Sequence, residues 1–199
     1  KEDRSALSSE LSVLTDMEQR QEGLKAGVKN IIQGRDTQSG DFRYVEGILA
    51  DLIEANVEYA AAVEAALENT TDAILANSSE ELLADISKIN GLEGRANFIC
   101  TDRLEPFNDN FDISNMEGVK GRLVEFITYP EKYAPLIWKL LGKTLIVDSM
   151  KTAMSISRRT AAGAYEFVTV KGEFLSRSNI IKLGPLGKSA GLISRKSRI

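Results

Sequence analysis

Short apolar runs alternate along this chain with stretches in which apolar residues recur at helical spacing. The helical stretches, identified from spacing and alanine content, are 57–67, 79–89, 131–141 and 150–159. The strand-length runs, rich in branched and aromatic residues, are 72–76, 95–101, 144–147 and 165–170. A loop rich in Asp, Asn and Pro at 102–117 divides the series in the middle. Because the order helix, strand, helix, strand occurs twice, the pattern predicts an α+β fold with helices packed on small sheets.

The two halves of this series also resemble each other residue by residue. When 46–67 is aligned with 120–141, six of the 22 pairs are identical, including Gly47 with Gly121. Further along, the aligned segments are 73–75 with 145–147 and 96–99 with 166–169. This agreement predicts an internal duplication that gives two related α/β subdomains.

Both ends of the chain predict helices that need a partner. Residues 1–33 follow a seven-residue pattern from Leu7 in which five of eight seam positions are apolar. The pattern predicts one continuous helix that packs against another helix. The closing segment 191–199 has Leu192 and Ile199 seven residues apart and predicts a helix that returns. A helix at each end predicts a globular insert at the turn of an antiparallel coiled coil.

The residue composition argues against catalysis. The chain has one cysteine, Cys100, and no histidine, so a thiolate nucleophile would lack its usual base. Two Gly-Lys-Thr/Ser triplets, at 142–144 and 187–189, lack the earlier glycine that a phosphate-binding loop requires. No apolar stretch approaches the roughly 20 residues that span a bilayer. We therefore predict a soluble, non-catalytic chain with no cofactor, no metal, no small-molecule substrate and no membrane contact.

Charge is distributed unevenly along the sequence. The segment from Arg158 to the end contains nine Lys and Arg residues and only two acidic residues. Its net charge is therefore +7, whereas the whole chain carries −4. The preceding residues therefore carry −11. This asymmetry predicts either a surface that attracts polyanions or a solvated helical end.

Six short blocks in a fixed order cover nearly the whole chain. They are 27–29, 46–53 with 59–60 and 65–67, 94–99, 141–148, 167–173 and 191–197. In these blocks the sequence resembles the hinge domain of bacterial SMC (structural maintenance of chromosomes) proteins. Two positions depart from that pattern. Asn69 stands where the family usually has Gly, and Gly184 is the one glycine where many members carry two Gly-Gly pairs.

The resemblance implies an SMC hinge fold with two related α/β subdomains, flanked by N- and C-terminal coiled-coil stubs. The implied boundaries are 1–33 for the N-terminal arm stub, 34–117 for subdomain I, 118–186 for subdomain II and 187–199 for the C-terminal arm stub. A hinge of this family joins two SMC chains into a homodimer through sheet edges. It also binds DNA weakly and without sequence preference, and the ATPase heads lie outside it.

From the resemblance and the charge distribution we predict two sets of site residues. The dimer set is Gly121, Ile180, Ile181 and Gly184. The DNA set is Lys25, Lys29, Lys182, Lys188, Arg195, Lys196 and Arg198. A Lys and Arg cluster without base-reading motifs is typical of phosphate-driven binding.

The leading interpretation is a hinge that serves chromosome condensation and segregation in a nucleoid-associated cytoplasmic protein. One alternative is the hinge of a more distant SMC-like repair or recombination protein. Another is a monomeric module that binds DNA without specificity. A small α/β enzyme is a further alternative, although the chain offers no nucleophile and base pair for one.

Overall fold

A computed structural model of the chain describes residues 2–19, 24–37, 40–68, 70–113, 115–159, 164–185 and 191–198. The elements up to residue 100 are α1 Glu2–Gln19, α2 Ala26–Asp36, β1 Val45–Ile48, α3 Leu49–Leu52, β2 Glu54–Ala55, α4 Val57–Ala66, β3 Ile74–Ala76, α5 Ser79–Ala84, α6 Ile86–Asn90 and β4 Phe98–Cys100. The later elements are β5 Val119–Arg122, β6 Ile127–Thr128, α7 Ala134–Leu141, β7 Thr144–Val147, α8 Met150–Arg159, β8 Glu166–Val168, β9 Phe174–Leu175, β10 Ile181–Lys182 and α9 Leu192–Lys196. Single 3₁₀ turns lie at Thr101–Arg103, Leu123–Phe126 and Glu131–Tyr133. The predicted α+β class is confirmed.

Within these ranges the strands form two main sheets. The first has the order β1-β3-β4 and the second the order β10-β9-β8-β7-β5. In each sheet one pair is parallel, β3 with β4 and β7 with β8, and the remaining pairs are antiparallel. A separate two-stranded ribbon pairs β2, which follows β1 in the chain, with β6, which follows β5. We call β1 to β4 the first repeat and β5 to β8 the second repeat.

The strand registers show the duplication directly. Gly47 lies opposite Leu75, and Gly121 lies opposite Ile146. Each glycine sits at an irregularity of an antiparallel ladder, β1 with β3 in the first sheet and β5 with β7 in the second. Leu75 is therefore equivalent to Ile146, and along the parallel pairs Ile99 is equivalent to Val168. The sequence alignment of both segments is wrong by one residue, because apolar runs match equally well when shifted by one.

The predicted elements are largely present. The strand at 144–147 and the helix at 150–159 have the observed bounds, and the helix at 57–67 is α4. The helix predicted at 79–89 is interrupted at Asp85 and forms α5 and α6. Ser78 caps α5, since its side chain accepts from the Glu81 N–H at 3.2 Å. The sequence did not predict the short strands β1, β2, β5, β6, β9 and β10.

The prediction of a single helix over 1–33 is wrong. Helix α1 ends at Gln19, Lys25 has extended backbone (φ −65°, ψ 149°), and α2 starts at Ala26. In α2, Val28 and Ile31 are fully buried, and they lie in the main core rather than in an interhelical seam. The seven-residue spacing of apolar residues thus extends beyond α1 into α2, where it reflects packing in the globular core and not a coiled coil.

Both repeats contribute to one main core. It joins first-repeat residues such as Leu49 and Leu75 with second-repeat residues such as Leu136 and Ile146. A smaller core lies between α8 and the second sheet and includes Ala153, Phe167 and Leu175. Because the main core is shared, we expect the two repeats to unfold together.

The equivalent glycines give a matched test of packing. Both have positive φ, 155° at Gly47 and 150° at Gly121. A Cβ at Gly47 would meet nothing within 4 Å, whereas one at Gly121 would lie 2.8 Å from Glu125 Oε2 and 2.9 Å from the Phe126 ring. The Glu125 carboxylate cannot easily yield, because it accepts from the Arg122 N–H at 2.9 Å.

We expect Gly47→Ala to lower the free energy of unfolding by about 1–3 kcal/mol through backbone strain alone. Gly121→Ala should lower it by roughly a further 1–3 kcal/mol through overpacking. Urea unfolding of both variants measures the difference. Equal losses would contradict this steric account of Gly121.

Candidate dimer and nucleic-acid interfaces

Strand β10 is an exposed apolar edge of the second sheet. It pairs with β9 alone, in the register Ile181 with Leu175 and Lys182 with Phe174. Around it Ile180 is 56% exposed, Ile181 45% and Leu183 68%. An edge strand has unpaired backbone donors and acceptors, and apolar side chains on it favour pairing with another chain.

The predicted dimer residues fall into two places. Ile180, Ile181 and Gly184 lie together at the β10 edge, and Gly184 is exposed with φ 96°. Gly121 lies in β5 at the opposite edge of the same sheet and is buried. Packing within the chain accounts for Gly121, and little of its surface remains for a partner. The interface role of all four residues stays a prediction.

The outer edge of the first sheet is β4, which no residue prediction included. Strand β4 pairs with β3 on one side, and its residues Phe98, Ile99 and Cys100 are half-buried. Burial raises the pKa of the Cys100 thiol, and the Asp102 carboxylate raises it further. That thiol is therefore a poor nucleophile at neutral pH. The apolar run at 95–101 indicated a strand but not its place at the edge.

The inner edges of the two sheets are linked within the chain. Glu46 of β1 lies 3.5 Å from the Lys132 ammonium of the second repeat. Lys120 of β5 lies 3.7 Å from the Glu58 carboxylate of the first repeat. Each is a surface ion pair, worth little in energy. Their positions nevertheless show that β1 and β5 face the other repeat, so β4 and β10 are the edges that face outward.

Several predicted DNA residues are engaged within the chain. Lys25 pairs with Asp72 at 3.1 Å, Lys182 with Glu68 at 2.6 Å and Arg198 with Glu10 at 3.2 Å. The Lys196 ammonium donates to the Asp51 carbonyl at 2.8 Å. Lys29 and Arg195 are half-buried on α2 and α9. Lys188 lies outside the described residues.

Three cations lie close together near the C-terminal end of α9. Arg195 and Lys196 line a cavity of about 180 Å³ together with Arg35 of α2. Arg35 contacts the Asp36 carboxylate at 2.7 Å and donates to the Glu46 carbonyl at 3.2 Å. The sequence analysis missed Arg35, because its basic residues were sought in the tail and at Lys25 and Lys29. The cluster brings three cations, with the Asp51 side chain beside them, to the place where α9 packs against α2.

A second group of cations lies on α8, in the second repeat. Lys151, Arg158 and Arg159 are exposed, and none of them has an ion pair with another residue in the described ranges. Arg158 and Arg159 begin the C-terminal segment of net charge +7. They lie on α8, more than 30 residues before Arg195 and Lys196 of α9. They provide a comparison for any test of the α9 residues.

The described ranges hold no group of three or more potential metal ligands. None of the helices in these ranges is both long and apolar enough to cross a membrane.

Comparison with known proteins, by sequence and by fold, gives the same family as the six sequence blocks. The family model described as "SMC proteins Flexible Hinge Domain" matches residues 42–157. The chromosome partition protein Smc of Halothermothrix orenii is 28% identical over 197 residues, which is 96% of this chain and 16% of that protein. The chain thus spans about a sixth of the length of that relative.

Two solved structures share the fold. The asymmetric dimer of the Geobacillus stearothermophilus SMC hinge domain matches with a TM-score of 0.80 and 24% identity, over 98% of this chain and 78% of that one. The Pyrococcus furiosus SMC hinge domain matches with a TM-score of 0.63 and 25% identity, over 89% of this chain and 88% of that one.

Proposed function

The chain belongs to the family of SMC flexible hinge domains, and on that basis we propose that it joins two SMC chains into a homodimer. The observation that carries the proposal is the exposed apolar edge at β10, with Ile180, Ile181 and Leu183. The module itself does no chemistry. In the longer protein, ATPase heads outside this chain would act, and the whole would serve chromosome condensation and segregation at the nucleoid.

The two outward edges suggest how the dimer is built. In our proposal, β10 of one chain pairs with β4 of its partner and extends both sheets across the interface. Each chain offers both edges, so a two-fold axis produces two identical contacts and closes a ring. The inner edges, linked by Glu46–Lys132 and Lys120–Glu58, face the other repeat of the same chain and are less accessible to a partner. A solution mass of twice 21.8 kDa tests this proposal.

The terminal helices would be the first turns of two antiparallel arms. Helix α1 carries exposed Leu7 and Leu11 four residues apart on one face, and Glu10 of α1 pairs with Arg198, next to the end of α9. An apolar stripe on one helix beside a linked second helix is what an arm pair requires. The division into 1–33, 34–117, 118–186 and 187–199 belongs to this proposal.

We also propose that the base of the arms binds DNA weakly and without sequence preference. The meeting of Arg35, Arg195 and Lys196 around one cavity supports this site. The ion pairs of Lys25, Lys182 and Arg198 mean that phosphates would have to replace carboxylates there. Such exchange gives weak, salt-sensitive binding, because the net gain is mainly counterion release.

Replacing Arg195, Lys196 and Arg198 with Glu is expected to weaken binding to every duplex sequence about tenfold or more at low salt. The slope of log affinity against log salt should fall by roughly 2–3, because about 0.9 counterions are released per phosphate contact. Fluorescence anisotropy with two unrelated duplexes across a salt series measures both quantities.

The control for this experiment carries the same charge change on α8, with Glu at positions 151, 158 and 159. A melting curve of each variant excludes a folding defect. If the α9 variant bound DNA as tightly as the wild type, the proposed site would be wrong. Loss of binding only in the α8 variant would place the DNA contact on that helix instead.

A further inference from the structure

Helix α4 contains a fully buried carboxylate that the dimer and DNA proposals do not use. Glu64 has no exposed surface, and its neighbours on the buried side of α4 include Val63 and Ala65. A carboxylate in such surroundings is strongly unfavourable unless hydrogen bonds replace its lost hydration. Its partners therefore indicate what it does.

Within the described residues, the hydrogen-bond donors to Glu64 all lie at the start of α9. Its Oε1 accepts from the Gly191 N–H at 2.6 Å, and its Oε2 accepts from the N–H groups of Ile193 and Ser194, each at 3.1 Å. The Ser194 hydroxyl adds a longer bond to Oε2 at 3.4 Å. The first N–H groups of a helix have no partner inside the helix and carry partial positive charge. Glu64 thus caps α9 from a position 127 residues earlier in the chain.

Helix α9 has no local substitute for this cap. Its N-cap residue is Gly191, which has no side chain and a φ of 146°. The helix is only five residues long in the described range, too short to hold its shape without tertiary contacts. Its other contacts with the globular unit include Ile193, which is 1% exposed, Leu192, which packs on the main core, and the Lys196 bond to the Asp51 carbonyl.

We infer that Glu64 is the positioning residue that fixes where, and in which direction, the C-terminal arm leaves the hinge. The inference rests on the proposed function, because α9 is the base of an arm only if the chain is a hinge. The capping contact itself is independent of dimer formation. Charge-assisted hydrogen bonds from the N–H groups of Gly191, Ile193 and Ser194 fix the direction of the helix axis as well as its position. The apolar contact of the Ile193 side chain alone would not fix that direction.

The experiment compares Glu64→Gln with Glu58→Gln. The first keeps the shape of the side chain but places an amide N–H₂ against N–H donors, and Glu64→Ala removes the acceptors altogether. Glu58 lies in the first turn of the same helix, is exposed, and has one loose surface ion pair. Hydrogen exchange of the 199-residue chain is measured residue by residue. A pair of spin labels, at positions 80 and 198 in a Cys100→Ala background, reports the position of α9.

In both Glu64 variants we expect amide exchange at 191–198 to rise on the order of 100-fold, with exchange in β7 and β8 unchanged. The distance distribution between the labels should broaden. Glu58→Gln should change neither. Unchanged exchange at 191–198 would overturn the inference, and so would an equal rise throughout the core, since Glu64 would then be an ordinary core residue. A monomeric wild type would contradict the hinge function while leaving the capping result readable.

Discussion

Arg122→Leu is expected to lower the free energy of unfolding by about 3–5 kcal/mol, because it leaves a buried carboxylate without its cation. The Arg122 guanidinium and the Asp109 carboxylate are 2.7 Å apart, and each side chain is only 8% exposed. Arg122 also donates to the carbonyls of Gly142 and Phe111. One side chain thus ties the 104–113 segment to the second sheet and to the end of α7. Thermal or urea unfolding measures the loss.

The matched control is Arg177→Leu. Arg177 lies 3.7 Å from the Glu166 carboxylate and is 42% exposed, so its loss should change the free energy of unfolding by at most about 1 kcal/mol. A double variant, Arg122→Leu with Asp109→Asn, should be more stable than Arg122→Leu alone, because no unpaired charge remains buried. Similar losses for Arg122→Leu and Arg177→Leu would contradict the role assigned to Arg122.

The same cluster should make stability depend on acid pH. Burial raises the pKa of Asp109, but hydrogen bonds from Tyr165, Arg122 and the Phe111 N–H outweigh it, so the pKa lies below its ordinary value. A lowered pKa means that the contribution is complete above the unfolded-state value of roughly 4 and is lost as pH falls through the folded-state value. Burial and the Asp109 bond also raise the pKa of Tyr165 to about 12, so Tyr165 remains a donor. In Arg122→Leu this acid dependence should be smaller.

The double variant Ile180→Lys with Ile181→Lys is expected to separate the proposed dimer. Burying one isoleucine side chain stabilises a contact by about 1.5–3 kcal/mol, which is roughly 10-fold to 100-fold in affinity. Losing one such side chain from each of the two equivalent contacts would raise the dissociation constant by about 10² to 10⁴-fold, and the variant removes two from each, so this range is a lower bound. Lysine on an edge strand also opposes pairing directly. Sedimentation across a concentration series measures the change.

The control for this variant is Val57→Lys. Val57 is 65% exposed, as accessible as the two isoleucines, but it lies on α4 rather than on a sheet edge. Both variants should keep the folded structure, seen as an unchanged far-UV circular dichroism spectrum, because exposed side chains contribute little to the fold of one chain. Only the variant at 180 and 181 should lose the stability that dimer formation adds by mass action. If the lysines at 180 and 181 left the dimer as tight as before, β10 would not be the contact.

The elements that the sequence predicted with correct bounds have clear signals at their ends or along their length. Strand β7 follows Gly142 and Lys143 and ends before Asp148, and α8 is strongly amphipathic. By contrast, β1 and β5 are four residues long and each contains a glycine, which weakens a strand signal. The sequence revealed them only as matching blocks of a repeat.

The site residues were harder to predict because their partners are remote in sequence. Lys182 and Glu68 are 114 residues apart, so the charge of the tail could be counted but its neutralisation could not be seen. The burial of Glu64 could have been predicted, because a glutamate between the alanines and valine of α4 would need a hydrogen-bond donor elsewhere in the fold. Asp109 gave no signal, because it lies in a loop whose composition only indicated a boundary.

The central claim of the proposal is that this hinge joins two chains into a dimer. Light scattering of the 199-residue chain across a dilution series tests it most directly. We predict a mass near twice 21.8 kDa that persists at low concentration. A mass of 21.8 kDa at every concentration would contradict the claim and would favour a monomeric DNA-binding module instead.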